Sequence, residues 1–225
     1  MKKILLAVAV CLLMAACWLE KDEKGYFLAS NYCTATIKGK EYIDRESYAL
    51  PKVGHSPCAE WYEQYFWENN VVVDSVGMLI VHTYLKPDKG NNDPEEYGLH
   101  LYIKDFRWDE PVEGQEYAFT AIALEETYVP LDTLVNRVHR ENISLALFDV
   151  GGVGAIRYVP ASGTIRFSLP EGAESNEDSD YWFEANITLR AEGNEPIDFR
   201  GYMYAYALPW SGNASHCLLY RIKNL

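Results

Sequence analysis

Two histidines, His82 and His100, fall in neighbouring stretches that alternate apolar and polar residues, so each reads as an outward position on a strand. If Leu79, Val81 and Thr83 pair with Ile103, Leu101 and Leu99, the two imidazoles face each other across the ladder. Facing imidazoles are either two ligands of a metal or a surface histidine pair, and the spacing fixes no third donor. A second cluster, Val53-Gly54-His55-Ser56-Pro57-Cys58, brings a hydroxyl, an imidazole and a thiol together. It does not complete the Gly-x-Ser-x-Gly turn that exposes a nucleophilic serine, because Cys58 replaces the second glycine and no parallel-sheet pattern surrounds it. The adjacent carboxylates Asp109-Glu110 and Glu125-Glu126 would point to opposite faces of a strand, which does not suit paired acid–base work. Gly151-Gly152-Val153-Gly154 lacks the lysine and following helix of a phosphate loop and reads as a turn. No catalytic signature emerges, so no catalytic residue is assigned and no cofactor is implied.

The most regular stretch, residues 181–208, reads as two long strands joined by a turn at Gly193, Asn194 and Pro196. Phe183, Ala185, Ile187 and Leu189 form one inward face, and Ile197, Phe199, Gly201, Met203, Ala205 and Ala207 form another. Outward, Tyr202, Tyr204 and Tyr206 stand at two-residue spacing with Trp182 beside them and Arg200 extending the row. Such a surface can stack on sugar rings, which makes these five residues the candidate ligand site. Tyrosine also suits strands in general, and a second layer can cover such a face, so the structural reading stands beside the binding one.

The chain opens with Lys2 and Lys3, an apolar run over residues 4–14, and Ala15-Ala16-Cys17. That run is too short for a permanent membrane span and has the form of a secretory signal. Leu13-Met14-Ala15-Ala16-Cys17 resembles the lipobox of bacterial lipoproteins, with Met14 where Leu, Val or Ile is usual. The resemblance implies cleavage before Cys17, acylation of that cysteine, and anchorage at the outer membrane, facing the cell surface or the periplasm. Residues 1–16 are then the signal peptide, residues 17–31 a charged tether, and residues 32–225 a single β domain. The acidic run after Cys17 is similar to the export signal of Bacteroidetes surface lipoproteins, or is a solvated spacer. Ala35-Thr36-Ile37-Lys38-Gly39-Lys40-Glu41-Tyr42 is similar to the opening strand of uncharacterised Bacteroidetes lipoproteins, β-rich domains of unknown function. Asp74-Ser75-Val76 and Asp132-Thr133-Leu134 resemble the Asp-(Ser/Thr)-aliphatic acceptor of O-glycosylation in that group, with Thr133 in an expected loop and Ser75 inside a strand.

The formal charge of −13 becomes more negative once Lys2 and Lys3 leave. An acidic surface repels phosphate backbones and anionic headgroups, which argues against nucleic acid and leaves the lipid as the route to the membrane. Expected partners are therefore the membrane, through that lipid, and a glycan or outer-membrane protein. Of the five cysteines, Cys11 leaves with the signal and Cys17 carries the lipid. Cys33, Cys58 and Cys217 remain, an odd set in which Cys33 with Cys58 is one bridge and three buried thiols are the alternative.

These groups need a scaffold of strands. A hairpin turning at Gly39-Lys40, strands over 71–85, 97–106, 115–124, 143–150, 153–159, 163–169 and 214–222, and the pair in 181–208 give about ten or eleven. Residues 86–96 and 170–180 read as loops, residues 127–142 as a helical turn or a crossing loop, and residues 51–70 as one short helix. In that helix Cys58, Trp61, Tyr62, Tyr65 and Phe66 share a face behind a Ser56 cap. The pattern predicts an all-β fold, an antiparallel β-sandwich or a flattened, lipocalin-like β-barrel. Three functions fit: a non-enzymatic binding or accessory module, a cell-envelope hydrolase built from scattered carboxylates or histidines, and a structural partner of an outer-membrane complex.

Overall fold

The structure is a computed structural model, which describes residues 31–45, 57–69, 71–107, 110–124, 131–149, 158–174, 181–193 and 195–209. Its strands are β1 (Tyr32–Ile37), β2 (Lys40–Arg45), β3 (Cys58–Glu68), β4 (Val71–Pro87), β5 (Tyr97–Lys104), β6 (Glu116–Phe119), β7 (Leu145–Asp149), β8 (Tyr158–Ser168), β9 (Trp182–Ala191) and β10 (Ile197–Pro209). Among the described residues one helix, α1 (Leu131–Glu141), precedes β7.

Eight of these strands close into an antiparallel barrel in the order β1, β2, β4, β5, β7, β8, β9, β10, with β10 returning to β1. Closure decides between the two predicted architectures in favour of the flattened barrel, and it removes the sheet edges that would otherwise template aggregation. β4 is long enough to serve two neighbours on one side. Its Lys86 and Pro87 pair with β2, and the stretch from Val71 to His82 pairs with β3. β3 in turn reaches β10 through a short parallel ladder at Ala207 to Pro209. β6 pairs with β8 outside the ring.

The barrel interior is filled by side chains. Ile37, Leu79, Val81, Leu99, Leu101, Phe148, Phe167, Phe183, Ile187 and Phe199 are all buried there, each on the inward face of its strand. Hydrophobic burial of this kind, at roughly 25 cal/mol per Å² of apolar surface, is the main stabilising term. A second, smaller core lies outside the wall. There α1 lays Leu134 and Val138 over Met78 and Ile80 of β4, Tyr102 of β5, and Leu145 and Leu147 of β7. β5 and β7 are consequently buried on both faces, which is why their sequences do not alternate cleanly.

Several expectations are corrected. Residues 57–68 are not a helix: Cys58–Glu68 forms β3, with residues 51–56 and 70 of the predicted helix outside the described residues. The aromatic spacing fitted a helical face, but aromatic residues also favour strands, and eleven backbone pairs with β4 outweigh local preference. The ambiguous segment 127–142 contains α1, so Thr133 is an exposed helical position and not a loop residue. The strand expected over 115–124 shortens to Glu116–Phe119. The strands expected over 153–159 and 163–169 are one continuous strand, β8, over its described length. The first hairpin turns at Lys38-Gly39, where both residues take positive φ (50° and 78°), the requirement of a two-residue turn of the hairpin type. Gly151-Gly152, the expected strand 214–222, Cys17, Cys217 and His55-Ser56 lie outside the described residues.

Candidate functional site

The final hairpin carries its outward aromatics as predicted. Tyr204 lies opposite Glu184, and Tyr206 opposite Trp182. β1 pairs with the other edge of β10 and brings Tyr32 opposite Tyr204, and β2 then sets Arg45 opposite Tyr32. The result is a row across four strands. Tyr204 stacks on Trp182 with centroids 4.9 Å apart and planes 16° apart, and on Tyr32 at 5.7 Å and 24°. Tyr202 tilts against Tyr32 at 5.9 Å, and Tyr206 against Trp182 at 5.4 Å. The Arg45 guanidinium carbon sits 5.3 Å from the Tyr32 ring centre, a cation–π contact that ends the row. All five rings are half-buried, and Arg200 is exposed on the same outer face.

This geometry changes the chemistry on offer. Tyr204 spends both ring faces on its neighbours, and Tyr32 spends one on Tyr204 with Arg45 also over its ring. Rings packed against each other present edges and polar tips, so the row is not a set of open platforms for flat sugar stacking. What remains is a band of phenol hydroxyls with the Glu184 carboxylate and the Arg45 guanidinium among them. Burial first, then Tyr32 and Glu184 beside it, push the Tyr202 hydroxyl well above the usual phenol range, so it keeps its proton and acts as a donor. Tyr32, Arg45 and Glu184 were missed in the sequence because they join the row only through strand pairing.

The second constellation lies on the outer face of the β4–β5 ladder. The ladder between β4 and β5 sets His82 opposite His100, with Leu79, Val81 and Thr83 opposite Ile103, Leu101 and Leu99. The register matches the one considered from the sequence. The environment does not: the two histidines are not a surface pair, being 8% and 5% exposed, on the outer face where α1 packs over the neighbouring Met78, Ile80 and Tyr102. Their Nδ1 atoms are 2.5 Å apart. The Nε2 atom of His100 lies 3.9 Å from Oδ2 of Asp149, which is 4% exposed. Tyr102 packs edge-on against His82, and Tyr158 against His100. Gly98 makes the arrangement possible, since a Cβ there would lie 2.9 Å from the Asp149 Cβ. Among the described residues, no group of three or more His, Cys, Asp and Glu side chains is placed to hold a metal ion.

A third polar group sits inside the barrel. Asp44 accepts hydrogen bonds from Thr83 Oγ1 at 2.9 Å and from the Tyr84 backbone N–H. Cys33, opposite Asp44 on β1, is a fully buried free thiol, so the bridge to Cys58 is not formed. Its inward place in the lumen explains this, since the Cys58 backbone pairs with His82 on another rung. Burial, and then the Asp44 carboxylate, push the thiol far above its ordinary range. Cys33 is therefore a small hydrophobe and not a nucleophile. Ser75 lies within β4, as read from the sequence.

Comparison with protein-family models, with curated proteins and with solved structures finds no match.

Proposed function

We propose that the protein is a lipid-anchored barrel of the outer membrane that acts as a non-enzymatic binding module, taking a hydroxylated extracellular ligand such as a glycan along its outer aromatic row. One observation carries the binding reading: five half-buried rings from β1, β9 and β10 gather into one band flanked by Arg45, Glu184 and Arg200. The filled interior supports an external site, because the lumen is occupied by the protein's own side chains. The anchoring rests on Leu13-Met14-Ala15-Ala16-Cys17, and the acidic tether that follows favours display on the cell surface.

A ligand lying across ring edges meets the hydroxyls of Tyr204 and Tyr206, the carboxylate of Glu184 and the guanidinium of Arg45. Recognition is then by hydrogen bonds to sugar hydroxyls, with the ring edges supplying apolar contact. The test is a glycan array with the wild type and a Tyr204→Phe/Tyr206→Phe variant, which keeps the rings and removes the tips. Binding by the wild type should weaken in the variant by about 0.5–1.5 kcal/mol per hydroxyl, with the thermal midpoint unchanged. No array signal from the wild type, together with a stable partner recovered from solubilised membranes, would favour a structural role in an outer-membrane complex.

A further inference from the structure

The outer face of the last strands continues past the tyrosines into a polar patch, built from two rungs that cross β10, β9 and β8. One rung sets Arg200 opposite Thr188 and Thr188 opposite Thr164, and the next sets Tyr202 opposite Asn186 and Asn186 opposite Arg166. Tyr202 is half-buried and the other five side chains are exposed. They alternate with buried inward residues such as Ile165, Ile187 and Met203, so they share one face. These six positions include two arginines and no carboxylate, in a chain with 33 acidic residues against 20 basic ones. Carboxylates at the border face other partners. Thr36 Oγ1 donates to Glu41 at 3.0 Å, Arg190 pairs with Asp198 at 3.0 Å, and Glu184 stands beside the Tyr202 hydroxyl.

Arg200 and Arg166 also differ from the other described arginines. Arg107, Arg137, Arg140 and Arg190 are ion-paired, and Arg45 lies over the Tyr32 ring. Among the described residues Arg200 and Arg166 have no hydrogen-bond or ion-pair partner, although Glu116 lies opposite Arg166 on β6. Two guanidinium groups are thus left open on one face, and it is the face that carries the tyrosines.

We propose that this patch makes the glycan site selective for acidic sugars: Arg200 and Arg166 take carboxylate or sulfate groups of the ligand, and Thr188, Asn186 and Thr164 meet its hydroxyls. The inference rests on the glycan reading of the tyrosine row and adds the charge of the ligand. A guanidinium fork meets two oxygens of a carboxylate at once, and the terminal oxygens of a sulfate ester offer the same match. Neighbouring strands lie about 4.8 Å apart and alternate residues of a strand about 6.6 Å, which puts the Arg200 and Arg166 Cα atoms roughly 12 Å from each other across β9. Two long side chains at that separation can close on one anionic group or hold two on successive sugars. Tyr202 belongs to both the row and the patch, so a glycan lying along β10 passes from ring edges to guanidinium without a break. The net charge of −13 opposes long-range attraction of any polyanion. The fitting ligand is therefore a glycan with sparse acidic groups, held by contacts inside the patch.

The experiment places the full-length protein, in detergent, on an array that pairs uronate oligosaccharides with their methyl esters and sulfated oligosaccharides with their desulfated forms. The wild type should bind the acidic member of at least one kind of pair about 10-fold or more tighter than its neutral partner. Arg200→Gln and Arg166→Gln should each weaken that binding about 10-fold, with binding to neutral members and the thermal midpoint unchanged. Which kind of pair responds tells carboxylate from sulfate. Equal binding of acidic and neutral members, or acidic binding untouched by both arginine variants, overturns the proposal and leaves the glycan reading standing. Binding to no member at all removes both. Acidic binding that is lost in the arginine variants but survives Tyr204→Phe/Tyr206→Phe supports the acidic site and takes the tyrosine hydroxyls out of it.

Discussion

Trp182 and Tyr204 stack with ring centroids 4.9 Å apart although they are not direct cross-strand partners: Tyr204 faces Glu184, and Trp182 faces Tyr206. The contact is diagonal, which long aromatic side chains can reach where short ones cannot. It ties β9 to β10 on the outer surface, opposite the inward pairs Ala185 with Met203 and Phe183 with Ala205. The aromatic row is therefore part of the scaffold as well as the candidate binding surface.

A double-mutant cycle measures how much. Trp182→Ala, Tyr204→Ala and the double variant, compared by urea unfolding, should give a coupling energy of about 0.5–1.5 kcal/mol, the usual worth of an aromatic pair beyond its area. Strictly additive losses would show that the two rings do not support each other.

Cys33 should resist alkylation in the folded protein and react at once in denaturant, as read by mass spectrometry of the labelled peptide. Its thiol is raised by burial and by Asp44, so the folded chain holds the proton at pH values where the unfolded chain has released it. The sign follows from that difference. Stability declines as pH rises above the ordinary thiol range, because the unfolded state binds fewer protons there. Cys33→Ala should make the alkaline limb of the stability profile shallower, and an unchanged slope would remove Cys33 as a contributor.

Gly98→Ala should destabilise the fold by about 1–3 kcal/mol, the cost of overpacking a filled site. The added methyl would meet the Asp149 Cβ at 2.9 Å and its Oδ2 at 3.2 Å. Combining it with Asp149→Gly, which removes the Cβ as well as the carboxylate, should recover part of the loss, since the clash partner is gone. A double variant no more stable than the sum of its parts would place the clash elsewhere.

Lipidation at Cys17 is checked by mass spectrometry of the membrane-extracted protein, which should show an acylated cysteine at the mature N-terminus. Cys17→Ala should release the protein or leave it unprocessed. Replacing Glu20, Asp22 and Glu23 by Ala should then retain it on the inner leaflet of the outer membrane, as judged by protease access on intact cells. A soluble, fully processed wild type would end the anchoring proposal, and unchanged protease access would make the acidic run a spacer.

Alternation was enough to read β9 and β10 residue by residue, since each has one face on the lumen and one outside: Phe183 to Leu189 and Ile197 to Ala207 point inward as expected. It was also enough to align His82 with His100, because the apolar partners of β4 and β5 admit a register that keeps both inward faces apolar. Local pattern could not assign β3, whose aromatics fit a helical face as well as a strand until the hairpin with β4 supplies the backbone partners. Nor could it choose barrel over sandwich, since both require the same alternation and only the pairing of β1 with β10 closes the ring. The burial of His82, His100 and Asp149 depends on tertiary packing over the outer face of the wall, and the joining of Tyr32 and Arg45 to Tyr204 depends on which strands become neighbours. Side-chain period is a property of one strand and is written in the sequence, whereas the neighbour across a ladder and the cover over a face are set by contacts between residues far apart in the chain.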